Sequence, residues 1–165
     1  EHRMSTLEVK AIQAPTGYNL DMPAGHIVQT VETSSISETN VSNASTGTSA
    51  TEWFNTTITP KKSGNKLICL VTGYCTYGAV ASGESHCYIT YSASGVSETV
   101  ESFSIYGNES YSSRPKLPVI THGVVTTTST NAYTIRVRVN GRDVSANAKN
   151  VQWGQGHLTI MEVQT

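Results

Sequence analysis

The sequence of 165 residues has little charge, and the charges that it has are balanced. Only 14% of the residues are charged, and 11 basic side chains against 12 acidic ones leave a formal net charge of −1. A surface without an excess of basic side chains has no broad positive field that would attract nucleic acid or anionic lipid. The composition therefore argues against a nucleic-acid-binding protein.

Long apolar segments are also missing. The longest apolar runs, such as residues 67–71, contain about five residues, whereas a helix needs about 20 to cross a bilayer. No segment near the N-terminus combines basic residues with the apolar run of a secretory signal. We therefore expect no insertion into a membrane.

Cysteine is scarce, and recognisable catalytic motifs are absent. Cys69, Cys75 and Cys87 are odd in number and lack the close pairs of a structural zinc site, so we expect buried thiols in a protein assembled in a reducing cytoplasm. The sequence has no nucleophile elbow, no zinc-protease helix and no phosphate-binding glycine loop. These absences predict a protein that is not an enzyme and that needs no cofactor or metal.

What the sequence does contain is hydroxyl residues and strand patterns. Its 20 serines and 23 threonines make up about a quarter of the chain. Residues 133–140 alternate strictly between apolar and polar side chains, which is typical of a half-buried strand. Weaker versions of this pattern, separated by turn residues, predict seven more strands, at residues 26–32, 51–59, 66–77, 86–92, 100–106, 117–126 and 157–163.

These patterns predict an all-β protein in two parts. Short turn-rich loops and the absence of a helical period favour an antiparallel β-sandwich, jelly-roll-like, over residues 26–165. Residues 1–25 contain two prolines and two glycines that interrupt strand pairing, so we expect an extended N-terminal arm. Residues 33–50 are low in complexity and fit either disorder or an edge strand followed by a long loop. Gly73 and Gly78 could divide the strand at residues 66–77 into two.

The closing strand carries apolar side chains on both faces. One face should line the core, and the other, with Met161 and Val163, should contact a neighbouring subunit, because apolar side chains facing water lose the free energy of burial. Burial between two layers of a single subunit is the alternative. We expect Glu162 either in solvent or paired with Arg136 or Arg138.

One segment has the composition of a binding loop. Tyr106, Asn108, Tyr111 and Arg114 lie within nine residues predicted to connect two strands. Tyrosine, amide and guanidinium groups together can stack on and hydrogen-bond a sugar or a protein. The sequence therefore predicts a site for a partner or receptor here, although tyrosine is also a common strand residue.

Four short segments form a recognisable set: MSTLEVKAIQAPTG at residues 4–17, MPAGHIVQ at 22–29, TITPKKSGNKLI at 57–68 and LTIMEV at 158–163. Together they resemble segments of the small tail-fibre or appendage proteins of marine tailed bacteriophages. The resemblance implies a virion structural protein and a homotrimer. It also implies that the arm, through residues such as Leu7, Val9 and Ile12, attaches to other virion proteins, and that the β domain is displayed to bind a host surface glycan or protein.

The sequence leaves two other functions open. A head fibre or capsid decoration protein would need the same arm and the same β domain. A carbohydrate-binding module, or a small hydrolase using Glu98 and Glu101 as its carboxylate pair, would belong to a different class. A module should be monomeric, and a hydrolase should lose activity when both carboxylates are removed.

Overall fold

The computed structural model describes residues 23–77, 80–111 and 116–165, with the side chains of residues 80–82 and 108–111 left out. Within these ranges the regular structure is nine strands and one 3-10 turn at Gly47–Ser49, and no helix is long and apolar enough to cross a membrane. The strands are β1 Ile27–Ser35, β2 Thr39–Val41, β3 Thr51–Ile58, β4 Lys66–Tyr77, β5 Val80–Ala93, β6 Val96–Tyr111, β7 Lys116–Thr126, β8 Tyr133–Val139 and β9 Val151–Val163.

The strands form two antiparallel sheets. Sheet A has the order β1-β9-β4-β7, with the short β2 paired to the first part of β9, and sheet B has the order β3-β8-β5-β6. Each sheet interleaves strands from the two halves of the chain, as in a jelly roll, so that the sandwich is held by long-range pairing. The predicted β-sandwich of jelly-roll type is confirmed.

All eight predicted strands are present, and the differences lie at their boundaries. Part of residues 33–50 is ordered as the end of β1, β2 and the 3-10 turn, which confirms the edge-strand alternative. β4 is one strand, with a register irregularity against β9 at Gly73, and Gly78 lies outside the described residues. The predicted loop after residue 106 is wrong, because β6 continues to Tyr111 in its pairing with β5.

The core lies between the inward faces of the two sheets. β8 contributes alternate buried residues, and the fully buried Trp153, Leu158 and Ile160 of β9 face it from sheet A. Trp53 belongs to the core and packs against Trp153 with ring centroids 5.6 Å apart, and Phe54 packs at the margin. The three cysteines are free and buried, as predicted.

Two glycines make room for the Trp53 ring. A Cβ atom at Gly73 would lie 2.7 Å from the ring, and one at Gly156 would lie 2.6 Å from it. Both distances are shorter than any van der Waals contact between carbon atoms. The glycines of β4 and β9 are therefore required by the close packing of the two sheets.

Glu162 is buried, which contradicts the expectation that it lies in solvent or pairs with an arginine. Its carboxylate is fully inaccessible and accepts hydrogen bonds from Lys61 N at 2.8 Å, Asn65 Nδ2 at 2.6 Å and Gln29 Nε2 at 2.5 Å. Arg138 instead pairs with Glu98 on the outer face of sheet B. The carboxylate stays inside because three donors from β1 and the β3–β4 loop satisfy it.

Side chains of β6 close one side of the sandwich by covering the free edge of β7. Ser102 Oγ donates to the carbonyl of His122 at 2.6 Å, and Tyr106 OH both donates to the carbonyl of Ile120 at 2.7 Å and accepts from its N–H at 2.9 Å. An edge strand otherwise exposes unpaired backbone groups that can pair with another chain. The inward face of β6 is therefore polar because its partner is a strand edge.

Candidate functional site

Two surfaces of the sandwich stand out as candidate sites for interaction. The first, which we call the apolar face, lies on the outside of sheet A. The pairing places Met161 of β9 beside Ile68 of β4, which in turn lies beside Val124 of β7. The whole surface comprises Ile27, Ile68, Leu70, Val124, Met161 and Val163.

The residues of the apolar face are exposed or half-buried in the single chain. Leu70 and Val124 are exposed, and Met161 and Val163 are half-buried. The prediction that one face of the closing strand lines the core is confirmed by the burial of Leu158 and Ile160. The contact of Met161 and Val163 with a neighbouring subunit stays a prediction.

The predicted binding loop is part of a strand, and its first residue, Tyr106, packs inside the sandwich. Tyr106 lies on β6, its hydroxyl is bonded to β7, and its ring packs edge-on against Trp153 with centroids 6.2 Å apart. Asn108 and Tyr111 belong to β6, but their side chains lie outside the described residues, as does the whole of Arg114. The predicted arm contacts Leu7, Val9 and Ile12 also lie outside them.

The second surface lies on the outside of sheet B and is built around three rings, which we call the aromatic cluster: His86, Tyr88 and Phe103. Tyr88 of β5 lies opposite Phe103 of β6. The ring centroids are 5.5 Å apart for His86 and Tyr88, 5.7 Å for His86 and Phe103, and 5.6 Å for Tyr88 and Phe103. His86 and Tyr88 are buried, whereas Phe103 is 54% exposed.

A chain of polar contacts leads away from the aromatic cluster. His86 Nδ1 lies 2.5 Å from Tyr88 OH, and His86 Nε2 lies 3.0 Å from Glu84 Oε1. The same carboxylate oxygen accepts from Arg142 Nη2 at 2.5 Å. Burial, together with the charge of Arg142, lowers the pKa of His86 against the opposing effect of Glu84, so that the neutral imidazole is favoured.

The two acidic residues considered as a hydrolase pair contact different partners. Glu98 binds Arg138 on β8, with distances of 2.5 and 2.9 Å, and this hydrogen bond lowers the pKa of Glu98. Glu101 instead accepts from Val124 N of β7 at 3.2 Å. The two carboxylates thus bond to different strands, Glu98 to β8 and Glu101 to β7.

Burial makes the cysteine thiols chemically inert. It raises the pKa of Cys69, Cys75 and Cys87 to about 12, so the reactive thiolate is not formed near neutral pH. Over the described part of the chain, no group of three or more His, Cys, Asp or Glu side chains is placed to hold a metal ion.

Sequence reasoning missed Phe103 and Ile105. Both alternate with Ser102 and Ser104, and an apolar–polar alternation is ordinarily read with its apolar residues facing the core. In the structure Phe103 and Ile105 point outward, with 54% and 55% of their surfaces exposed. The unusual number of serines on the other face was the signal that could have indicated this orientation.

Comparison with known proteins assigns no family. No family model and no curated protein matches the sequence. Among solved structures, the chain is similar to one of infectious bursal disease virus, Gx strain, with 11% identity and a TM-score of 0.49 over 90% of this chain and 40% of that one. The chain thus spans less than half the length of this viral protein.

Two sugar-binding domains are also similar in structure. The C-terminal domain of EclA, a sugar-binding protein, has 14% identity and a TM-score of 0.36 over 88% of this chain and 86% of that domain. The CBM22-1 xylan-binding domain of Xyn10C from Paenibacillus barcinonensis has 11% identity and a TM-score of 0.35 over 88% of this chain and 99% of that domain. Similarities of this size assign no function.

Proposed function

We propose that the protein is a virion structural protein of a tailed bacteriophage, a tail fibre or appendage that displays a homotrimeric β domain for attachment to the host surface. The observation that carries the proposal is the apolar face of sheet A. It brings Met161 and Val163 together with Ile68, Leu70 and Val124, three residues from two other strands.

Self-association explains why such a face is present. Each large apolar side chain left in water forgoes roughly 1.5–3 kcal/mol of burial free energy, and contiguous exposed apolar surface usually marks an interface. The formal net charge of −1 offers little electrostatic repulsion between identical chains. A second copy is therefore a chemically suitable partner for this face.

Display in several copies suits an attachment protein. Copies on one particle bind the same host surface, so that after the first contact each further contact is effectively intramolecular. Weak sites then give firm attachment without a deep cavity in any one subunit. In this proposal, residues 1–25 join the β domain to other virion proteins.

The substitution Met161→Asp tests the assembly. We expect the wild-type protein to have the mass of a trimer in size-exclusion chromatography with light scattering, and the variant to be a monomer with unchanged β-type circular dichroism. A charge at the centre of an apolar interface loses its hydration on assembly, which the trimer cannot compensate. Thr57→Asp, which adds the same charge to an exposed position of sheet B, is the matched control and should remain a trimer.

Two results would count against the proposal. A wild-type protein that is a clean monomer at micromolar concentration would contradict the homotrimer. A Met161→Asp variant with the mass of the wild type would remove the apolar face from the interface.

The location on the particle separates a tail fibre from a head fibre or capsid decoration. Both need the same assembly and the same arm, so the oligomeric state does not distinguish them. Labelled antibody against the β domain, imaged on whole particles, should mark the tail. Labelling at the capsid vertices would favour the capsid alternative.

A further inference from the structure

The outward face of β6 presents an apolar surface that the fold itself does not require. Ser102 and Tyr106 face inward because they cover the edge of β7. Polar residues at the outward positions would be compatible with that role. These positions are instead occupied by Phe103 and Ile105, each more than half exposed. Exposed large apolar side chains that are neighbours on one sheet face point to a binding surface.

The Phe103 ring is held in place before any ligand binds. It lies against His86 and Tyr88, which are buried and in hydrogen-bond contact with each other at 2.5 Å. An exposed ring on a fixed support loses little conformational freedom when a ligand stacks on it. The aromatic cluster is thus a rigid stacking platform at the surface.

Hydrogen-bond donors and acceptors lie along the same face. Glu84, His86 and Tyr88 are alternate residues of β5 and point outward in a row, so Glu84 lies roughly 13 Å from Tyr88 at about 3.3 Å per residue. Glu84 and Arg142 are paired at 2.5 Å, and each side chain keeps some exposure to solvent. The pair offers a fixed acceptor and fixed donors, and its charges cancel.

We propose that the outer face of β5 and β6 binds a neutral oligosaccharide. The C–H face of one sugar ring stacks on Phe103, Ile105 contacts the neighbouring ring, and the Glu84–Arg142 pair hydrogen-bonds hydroxyl groups further along. Sugars combine an apolar face with a rim of hydroxyls, which matches an exposed ring beside a neutral polar pair. The inference rests on the proposed function for its biological role, attachment to a host surface, and names the ligand class.

Nuclear magnetic resonance titration of the full-length protein tests the site directly. The probes are neutral hexasaccharides of glucose, xylose, mannose, galactose and N-acetylglucosamine, each added to about 10 mM, a concentration that detects millimolar dissociation constants. We expect at least one probe to shift the backbone amide signals of residues 84–88 and 103–105 in a saturable manner. No shift with any of the five probes would overturn the proposal.

Three variants test which side chains contribute to the affinity for the saccharide. Phe103→Ala should weaken binding of the active probe about five- to tenfold, which corresponds to loss of an aromatic contact, whereas Phe103→Trp should preserve binding. Ile120→Ala removes an apolar side chain of similar exposure from sheet A and should leave binding unchanged. Equal weakening by Ile120→Ala would contradict the assignment to this face.

Light scattering separates this inference from the trimer proposal. If Phe103→Ala reduces the mass of the assembly, the surface is a contact between subunits, and the saccharide site is overturned. If the wild-type protein binds a probe but is a monomer, the saccharide site stands and the proposed trimer fails. If the wild-type protein is a trimer that binds no probe, the proposed trimer stands and the saccharide site fails.

Discussion

At the scale of single residues, the buried carboxylate of Glu162 is satisfied by specific partners. Glu162 shares the inward face of β9 with Leu158 and Ile160, and an isolated carboxylate there would be strongly unfavourable. Two side-chain amides and one backbone N–H surround it instead. These bonds join β1, β9 and the loop between β3 and β4, so Glu162 acts as a structural link inside the sandwich.

Removing this carboxylate should therefore cost stability. We expect Glu162→Ala to lower the free energy of unfolding by about 2–3 kcal/mol, because the change removes charge-assisted hydrogen bonds and leaves buried donors unpaired. Chemical denaturation followed by circular dichroism measures the change. Glu32→Ala, at an exposed position of β1, is the control and should change stability by less than about 0.5 kcal/mol. Equal stability of the two variants would show that the bonds to Glu162 contribute nothing.

At the scale of secondary-structure elements, β6 is unusual because its polar Ser102 and Tyr106 face the interior whereas its apolar Phe103 and Ile105 face outward. Glu101, Ser102 and Tyr106 bond to the backbone of β7, the edge strand of sheet A. Side-chain bonds thus replace the ladder that a further strand would have formed. This arrangement joins the two sheets along one side and also turns Phe103 outward.

Loss of the Tyr106 hydroxyl tests the contribution of these bonds between β6 and β7. Tyr106→Phe should lower the free energy of unfolding by about 1–2 kcal/mol, since the backbone N–H of Ile120 loses its acceptor. Amide hydrogen exchange should rise at Ile120 more than at the centre of β8. Tyr91→Phe is the matched control, because the Tyr91 hydroxyl has no hydrogen bond within the described residues. Unchanged exchange at Ile120 would contradict the role assigned to Tyr106.

At the scale of the whole molecule, the β domain is held together from residue 25 onward. Gly25 N donates to Gln164 O at 2.7 Å, and Gln164 N donates to His26 O at 2.9 Å, so the chain joins sheet A just before β1. Among the described residues, the buried hydrophobic core runs from Val41 to Ile160, with Val31 packed against it. We therefore expect the β domain to fold without residues 1–22.

Deletion of residues 1–22 tests whether the arm is separate. We expect the remaining chain to fold, with a melting temperature within about 4 °C of the full-length protein, which corresponds to about 1 kcal/mol. Circular dichroism gives the melting curve, and light scattering gives the mass. A lower mass would assign the arm to contacts between subunits, and an unchanged mass would be the result expected if the arm binds other virion proteins. Failure of the truncated chain to fold would place the arm in the core.

Much of the fold could be predicted from the sequence because strand patterns are local. The alternation in residues 133–140 identified β8 and its buried face, and the turn residues between such patterns located the other predicted strands. The binding residues were harder to predict. Tyr106 was predicted to lie in a loop, and Phe103 was not singled out, because the outward face of β6 depends on a strand that is distant in sequence.

The sequence by itself determined that this chain forms an antiparallel sandwich, since a period of two residues and frequent turns are local properties that need no partner. The tertiary structure alone decided which face of each strand is buried when the pattern is ambiguous. β6 faces inward with its serines because β7 presents unpaired backbone groups there, and Glu162 is buried because Gln29, Lys61 and Asn65 converge on it. Such partners are brought together only by long-range pairing, which local patterns do not encode.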